Sequence, residues 1–247
     1  MRVSLFITCL VDQFYPRVGL AAAALLRRLG VEVVFNGSQT CCGQPAFNAG
    51  HRREAREVAE GTLRLLAREL ESADYVVVPS GSCAAMLVKG YAELFADDAE
   101  LAPLAASAAG RVCELSQFLA GVLGAEDVGA SFAGRVTYHD SCHLLRELGV
   151  AAEPRKLIGA VRGAEFVELE NSDACCGFGG LFSFNYPELS SAIAEEKARC
   201  VERSGADAVV ACDTGCLMRM SGLLARRGSS VRCLHLAELL ADEGGGP

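Results

Sequence analysis

The sequence predicts an α/β protein of two pseudo-symmetric lobes, each a short, mostly parallel sheet flanked by helices, with cysteines in the strand-end loops. Three observations predict it. Short apolar runs alternate with helical stretches, the order expected of parallel α/β units. An adjacent cysteine pair followed by glycine occurs twice, as Cys41-Cys42-Gly43 and Cys175-Cys176-Gly177. Each pair carries one cysteine upstream and one downstream at matched spacing. The sets are Cys9, Cys41, Cys42, Cys83 and Cys142, Cys175, Cys176, Cys216, with upstream gaps of 32 and 33 residues and downstream gaps of 41 and 40. Flanking sequence repeats as well: Ala73-Asp74-Tyr75-Val76-Val77 answers Ala206-Asp207-Ala208-Val209-Val210. The chain is a duplicated unit, and four thiols belong to what is duplicated. The lobes are expected at 1–126 and 127–247.

In the first lobe, Val3 to Thr8 reads as a buried strand delivering Cys9 at its carboxyl end. Pro16 suits a first helical position, Gly19 to Leu29 reads as helix, and Gly30 stops it. Val31 to Phe35 is the second strand. Asn36-Gly37 would suit a hairpin, but no partner strand follows, so it reads as a loop into the cysteine pair. Gly50 to Leu70 returns to helical periodicity. Tyr75 to Val78 is the third strand, and Pro79 to Cys83 turns off its end into a helix. Such units hold ligands beyond the carboxyl ends of their strands.

Ala125 to Gly134, rich in Gly, Ala and Ser, reads as the boundary between lobes. Arg135 to His139 is then the new first strand, Glu153 to Val161 a short helix, Glu165 to Leu169 a strand, Pro187 to Arg203 a helix and Ala208 to Ala211 the last strand before Cys216. The run Cys175-Cys176-Gly177-Phe178-Gly179-Gly180 is not a dinucleotide fingerprint, because its glycines lack the required spacing. Its small residues suit close approach of backbone amides to a charged centre.

Two adjacent thiols sit on Cα atoms about 3.8 Å apart, close enough to serve neighbouring ions of one polynuclear centre. Metal or redox centres and inert buried thiols are the two readings of the eight cysteines, and the repetition favours the first. Cys113 and Cys200 lie outside the repeat and read as small core residues. Cys212, four residues before Cys216, is either a ligand or an accessory thiol. His139 and His143 flank Cys142 and either serve its centre or satisfy backbone groups. His51 reads as a solvated or capping residue and His235 as structural.

With 247 residues, 51% of them apolar, the chain can bury a core; its net charge of −8 argues against a nucleic-acid partner. No run approaches the length of a transmembrane segment, and the first residues lack a secretory pattern, so a cytoplasmic location is expected. Twelve cysteines in a reducing compartment point to metal or thiol chemistry rather than a disulfide framework.

On Cys9, Cys41-Cys42-Gly43 and Cys83, repeated as Cys142, Cys175-Cys176-Gly177 and Cys216, the chain resembles the cysteine-rich CCG-domain family over essentially its whole length. Within that family it looks closest to the small iron-sulfur subunit of a three-protein lactate oxidation system. It is similar at greater distance to the iron-sulfur subunit of glycolate oxidase and the B subunit of heterodisulfide reductase. The resemblance implies iron-sulfur clusters, one of 4Fe-4S type per lobe, held by the eight matched cysteines. It also implies electron transfer during oxidation of L-lactate to pyruvate, with separate iron-sulfur and lactate-utilization subunits as partners. In the B-subunit family the motif ends in a Cys-x-x-Cys pair with five thiols. Here the first cysteine of that pair is Ser80 in one lobe and Asp213 in the other, which leaves four per lobe. Disulfide reduction is therefore a weaker alternative than electron transfer. A non-enzymatic protein with structural zinc sites, each closed by four cysteines, is another.

Overall fold

The computed structural model describes residues 1–244. The first lobe runs β1 (Arg2–Leu5), α1 (Cys9–Phe14), α2 (Pro16–Arg28), β2 (Glu32–Val34), α3 (Gln44–Asn48), α4 (Arg52–Glu69), β3 (Tyr75–Val78) and α5 (Gly81–Ala85). A π-helical turn over Met86–Gly90 links α5 to α6 (Tyr91–Leu94); α7 (Leu101–Ala109), β4 (Val112–Glu114) and α8 (Leu115–Gln117) follow. The second lobe repeats the plan with β5 (Ser131–Tyr138), α9 (Cys142–Leu148), α10 (Ala152–Gly159), β6 (Arg162–Phe166), α11 (Phe182–Asn185), α12 (Pro187–Arg203), β7 (Ala208–Ala211), α13 (Thr214–Arg226), β8 (Arg232–His235) and α14 (Leu236–Ala241).

Each lobe holds a four-stranded, all-parallel sheet, in the orders β2-β1-β3-β4 and β6-β5-β7-β8. The central strands β3 and β7 are covered on both faces, which is why they read as unbroken apolar runs rather than alternating ones. In both sheets the order reverses between the first and third strands, and the crevice at that switch point is where open parallel sheets bind their ligands.

The last helix of each lobe packs against the other lobe. Helix α14 lies on α2 of the first lobe, while α8 and the π turn after it (Phe118–Val122) lie on α10 of the second. Helix α2 presents Val18, Ala22, Leu25 and Leu26, a stripe at helical spacing, and α14 contributes Leu236, Ala237, Leu239 and Leu240, all within one core that spans both lobes. Burial of each such leucine contributes roughly 1.5–3 kcal/mol. Arg28 seals the exchange by donating to the carbonyls of Leu240 at 2.6 Å and Ala241 at 3.1 Å, the open end of α14.

Several boundaries differ from expectation. The stretch expected as a linker is strand from Ser131 onward, where β5 begins; Phe132 is buried in the shared core and the Ser131 amide bonds the Asp242 carbonyl. A register shift at Gly134, whose φ is +144°, carries the strand past this irregular start. Strand β6 lies earlier than Glu165–Leu169 because it pairs with that extension, Ser131 opposite Arg162. Cys9, Cys83, Cys142 and Cys216 were expected in strand-end loops. They stand one step further on, in the first turns of α1, α5, α9 and α13.

Candidate metal centre

Strand equivalences align the lobes residue by residue. Val3 pairs with Tyr75 as Val136 pairs with Ala208, so Phe6 matches His139 and Cys9 matches Cys142. Each strand passes into a short loop and then a helix whose first turn carries the upstream or downstream thiol. The adjacent pairs enter from the loop after the edge strand.

The glycine of each pair is fixed by geometry. Gly43 and Gly177 have φ of +86° and +82°, and in each the amide turns back to donate to the sulfur of the first cysteine, at 3.4 Å for Cys41 and 3.3 Å for Cys175. Each also abuts a long helix. A Cβ at Gly43 would lie 3.1 Å from the Ala55 carbonyl; one at Gly177 would lie 2.5 Å from the Ser190 carbonyl and 3.0 Å from the Ala194 nitrogen. The pair is thereby pressed against α4 or α12.

In the first lobe the sulfurs of Cys9 and Cys41 are 3.7 Å apart and those of Cys42 and Cys83 are 3.4 Å apart, thiol contacts far longer than a disulfide bond. Thiol donors from Cys42 and Cys9 hold Cys41 down to about 3, and the same contact with Cys41 pushes Cys9 up. Contact with Cys176, then burial, raises Cys175. Thiols crowded in this way suit a thiophilic metal, whose binding displaces their protons and leaves soft thiolate ligands. In the second lobe a His139 ring nitrogen and the sulfurs of Cys176 and Cys216 lie within 4.8 Å of one another.

All eight cysteines of the repeat line one cavity of about 550 Å³ between the lobes, together with His51, His143, Phe178, Phe182, Tyr186 and Asp213. The other four do not. Cys113 and Cys233 belong to outer strands, Cys200 is buried in α12, and Cys212 packs its sulfur 3.4 Å from the Tyr138 hydroxyl.

The lobes meet at this cavity through residues at matched positions. Ser80 caps α5 by accepting from the Cys83 amide at 3.3 Å. Its counterpart Asp213 does not cap α13; its carboxylate crosses to the first lobe and accepts from the hydroxyls of Ser80 at 2.8 Å and Ser82 at 2.7 Å and from the Ser82 amide at 3.1 Å. Gly81 permits the approach, since a Cβ there would lie 2.4 Å from that of Leu144. Next to the second thiol set, Asp140 is almost fully buried and receives Arg155 through two bonds of 2.8 and 2.6 Å and the Ser172 hydroxyl at 2.8 Å. Burial opposes the charge on Asp140, and those donors outweigh it, so its pKa falls.

Sequence reasoning missed two residues. Lys197, buried in α12, donates to the carbonyls of Asn171 and Ser172 in the loop before the second pair. Its counterpart in α4 is Thr62, which bonds the Cys41 carbonyl at 3.2 Å. Glu114, wholly buried at the start of α8, is pushed up to about 7, chiefly by burial. Neither stands in a motif; a lysine on the buried face of a helix was the one visible signal. Among the histidines, His235 caps α14 by accepting from the Ala237 amide at 3.1 Å, His51 stands at the N-cap of α4 without a side-chain cap bond, and His143 lies 3.6 Å from the Cys142 sulfur.

Comparison with known proteins completes the picture. The family described as "Cysteine-rich domain" (CCG) matches residues 3–88 and 136–221. Curated relatives named lactate utilization protein A are 49% identical in Geobacillus kaustophilus, over 97% of this chain and 98% of theirs, and 45% identical in Bacillus subtilis, over 97% and 99%. Another, from an Exiguobacterium strain, is 44% identical over 98% and 97%. A solved aspartate racemase homologue from Pyrococcus horikoshii reaches a TM-score of only 0.34 at 11% identity, over 97% of this chain and 95% of that one, and carries no argument. With two copies of the domain covering most of its length and relatives near half identity, the chain belongs to the CCG cysteine-rich domain family.

Proposed function

We propose that the chain is an iron-sulfur electron-transfer subunit of a multiprotein L-lactate oxidation system that yields pyruvate. The observation that carries this reading is the convergence of all eight repeated thiols, and none of the other four, on one cavity between the lobes. Lactate comes from the name of the relatives. In this reading Cys9, Cys41, Cys42 and Cys83 hold one 4Fe-4S centre, and Cys142, Cys175, Cys176 and Cys216 hold the other. Such centres supply reversible one-electron transfer when bound.

The protein's own groups fit that task. The Gly43 and Gly177 amides donate to ligand sulfurs and stabilise negative charge on them. Burial of Cys42, Cys83, Cys176 and Cys216 limits water. The cavity carboxylate, Asp213, is engaged by Ser80 and Ser82, which suits it to joining the lobes rather than to acting as a base. The removal of hydrogen from lactate is accordingly assigned to a partner subunit. An exposed apolar edge formed by Leu181, Phe184, Tyr186 and Leu189 lies at and beside the rim of the cavity and suits such a partner. Twelve free thiols suit a cytoplasmic setting, and no described helix is long and apolar enough to cross a membrane.

The test is reconstitution of the metal-replete protein with separate iron-sulfur and lactate-utilization subunits of the same system. Lactate-dependent reduction of its centres, together with association by native mass measurement, is expected. Absence of both with replete proteins would overturn the assignment.

A further inference from the structure

His139 and Phe6 occupy the same place in the two lobes. Each follows its strand by one residue, and each amide bonds the central strand, to Val77 from Phe6 and Val210 from His139, at 2.9 Å in both cases. Phe6 is fully buried among apolar neighbours, as that position dictates. His139 is as deeply buried, at 1% exposure, and among the described residues its ring meets no hydrogen-bonding group but the Ser172 carbonyl, which leaves at least one ring nitrogen unpartnered. A ring nitrogen left without a partner in such a place carries the full desolvation cost of that group. A buried polar group tolerated there calls for a ligand.

Its surroundings show which ligand. A ring nitrogen of His139 lies within 4.8 Å of the sulfurs of Cys176 and Cys216, and the three atoms lie mutually within that distance. The Ser172 carbonyl lies beside the ring, an acceptor of the kind that orients a metal-binding imidazole. The carboxylate that lines the cavity, Asp213, is already engaged by Ser80 and Ser82 of the opposite lobe.

We propose that His139 supplies an imidazole nitrogen ligand to the second-lobe centre, which then has a mixed thiolate and nitrogen donor set, whereas the first-lobe centre is held by thiolates alone. This rests on the iron-sulfur reading of the eight cysteines and deepens it. A nitrogen donor added to the four thiolates gives the second centre a different ligand set, and ligand set is one of the levers on the potential of an iron-sulfur centre. The two centres are therefore unequal by construction.

Pulsed electron paramagnetic resonance tests the assignment on the anaerobically purified protein, reduced in steps and compared with protein grown on 15N-histidine. Iron and acid-labile sulfide are measured first on the same sample. The expected result is one centre with a strongly coupled nitrogen that changes on histidine labelling and one centre without it. The coupling should disappear in His139→Phe, which reproduces the first lobe, and persist in His143→Gln. The potential of the second centre should shift in His139→Phe while that of the first is unchanged. Iron and sulfide present in wild type with no histidine coupling at either centre overturns the ligand but leaves the iron-sulfur reading standing. Coupling lost in His143→Gln instead assigns the nitrogen to His143 and also overturns it. If His139→Phe fails to fold, labelled wild type with His143→Gln and His51→Gln still decides between these outcomes. Zinc without iron or sulfide in wild type overturns both readings.

Discussion

Replacing Gly177 with alanine tests whether the second cysteine pair is held by backbone geometry. The residue sits at φ +82°, where an L side chain costs roughly 1–2 kcal/mol. The added Cβ would also lie 2.5 Å from the Ser190 carbonyl and 3.0 Å from the Ala194 nitrogen, both backbone atoms of a helix that cannot swing aside. Overpacking of this kind costs about 1–3 kcal/mol, so the sum is about 2–5 kcal/mol. Gly43→Ala meets the same strain at φ +86°, but its nearest contact is 3.1 Å, which a small shift relieves, so about 1–3 kcal/mol is expected. Denaturant unfolding of the metal-free variants under reducing conditions gives both values, and iron content after anaerobic reconstitution shows whether the pair still loads. Gly177→Ala should be the less stable variant and should lose loading in its own lobe first. Stability within about 0.5 kcal/mol of wild type, the range of an ordinary surface change, would refute the geometry, as would a larger loss in Gly43→Ala.

Two further outcomes follow from buried charge. Glu114 has its folded pKa raised to about 7 from 4.5, mainly by burial, so its contribution is fully present below 4.5 and is lost as pH rises through 7. The gap corresponds to about 3 kcal/mol, and wild type should lose that much relative to Glu114→Gln between pH 4.5 and 8; parallel stability curves would contradict it. Arg155→Ala should cost about 2–4 kcal/mol, because it strands the buried Asp140 carboxylate beside the second thiol set, and Asp140→Asn in the same chain should recover part of the loss. An Arg155→Ala loss below about 1 kcal/mol in urea unfolding would show that the pair is not holding that loop.

Much of the candidate site was legible because the duplication is written in the cysteines themselves. The matched spacings separated eight thiols from four, and the cavity between the lobes makes the same separation. Strand pairing places Val112 and Cys233 at equivalent positions, since Val76 pairs with Val112 as its equivalent Val209 pairs with Cys233. Helix Pro187–Arg203 and strand Ala208–Ala211 match their expected ends because a proline start and a fully apolar run mark them. The exchange of α8 and α14 between lobes was not legible. An apolar helix face shows that it must be covered, not which lobe covers it. The start of β5 was hidden for a related reason: Gly129, Ala130, Ser131 and Gly134 have the composition of a linker, and only the partner β6 and the burial of Phe132 make the segment strand. The reach of Asp213 across the seam was equally silent, because hydrogen bonds over a separation of 131 residues leave no local pattern.

The central claim is that each thiol set holds its own iron-sulfur centre. Its most direct test is the iron, zinc and acid-labile sulfide content of anaerobically purified wild type, Cys42→Ser and Cys176→Ser. Wild type should contain about eight iron atoms and eight sulfides per chain, and each variant should lose about half while retaining the spectrum of the intact lobe. Zinc without iron or sulfide in wild type, or full iron content in both variants, would contradict the account.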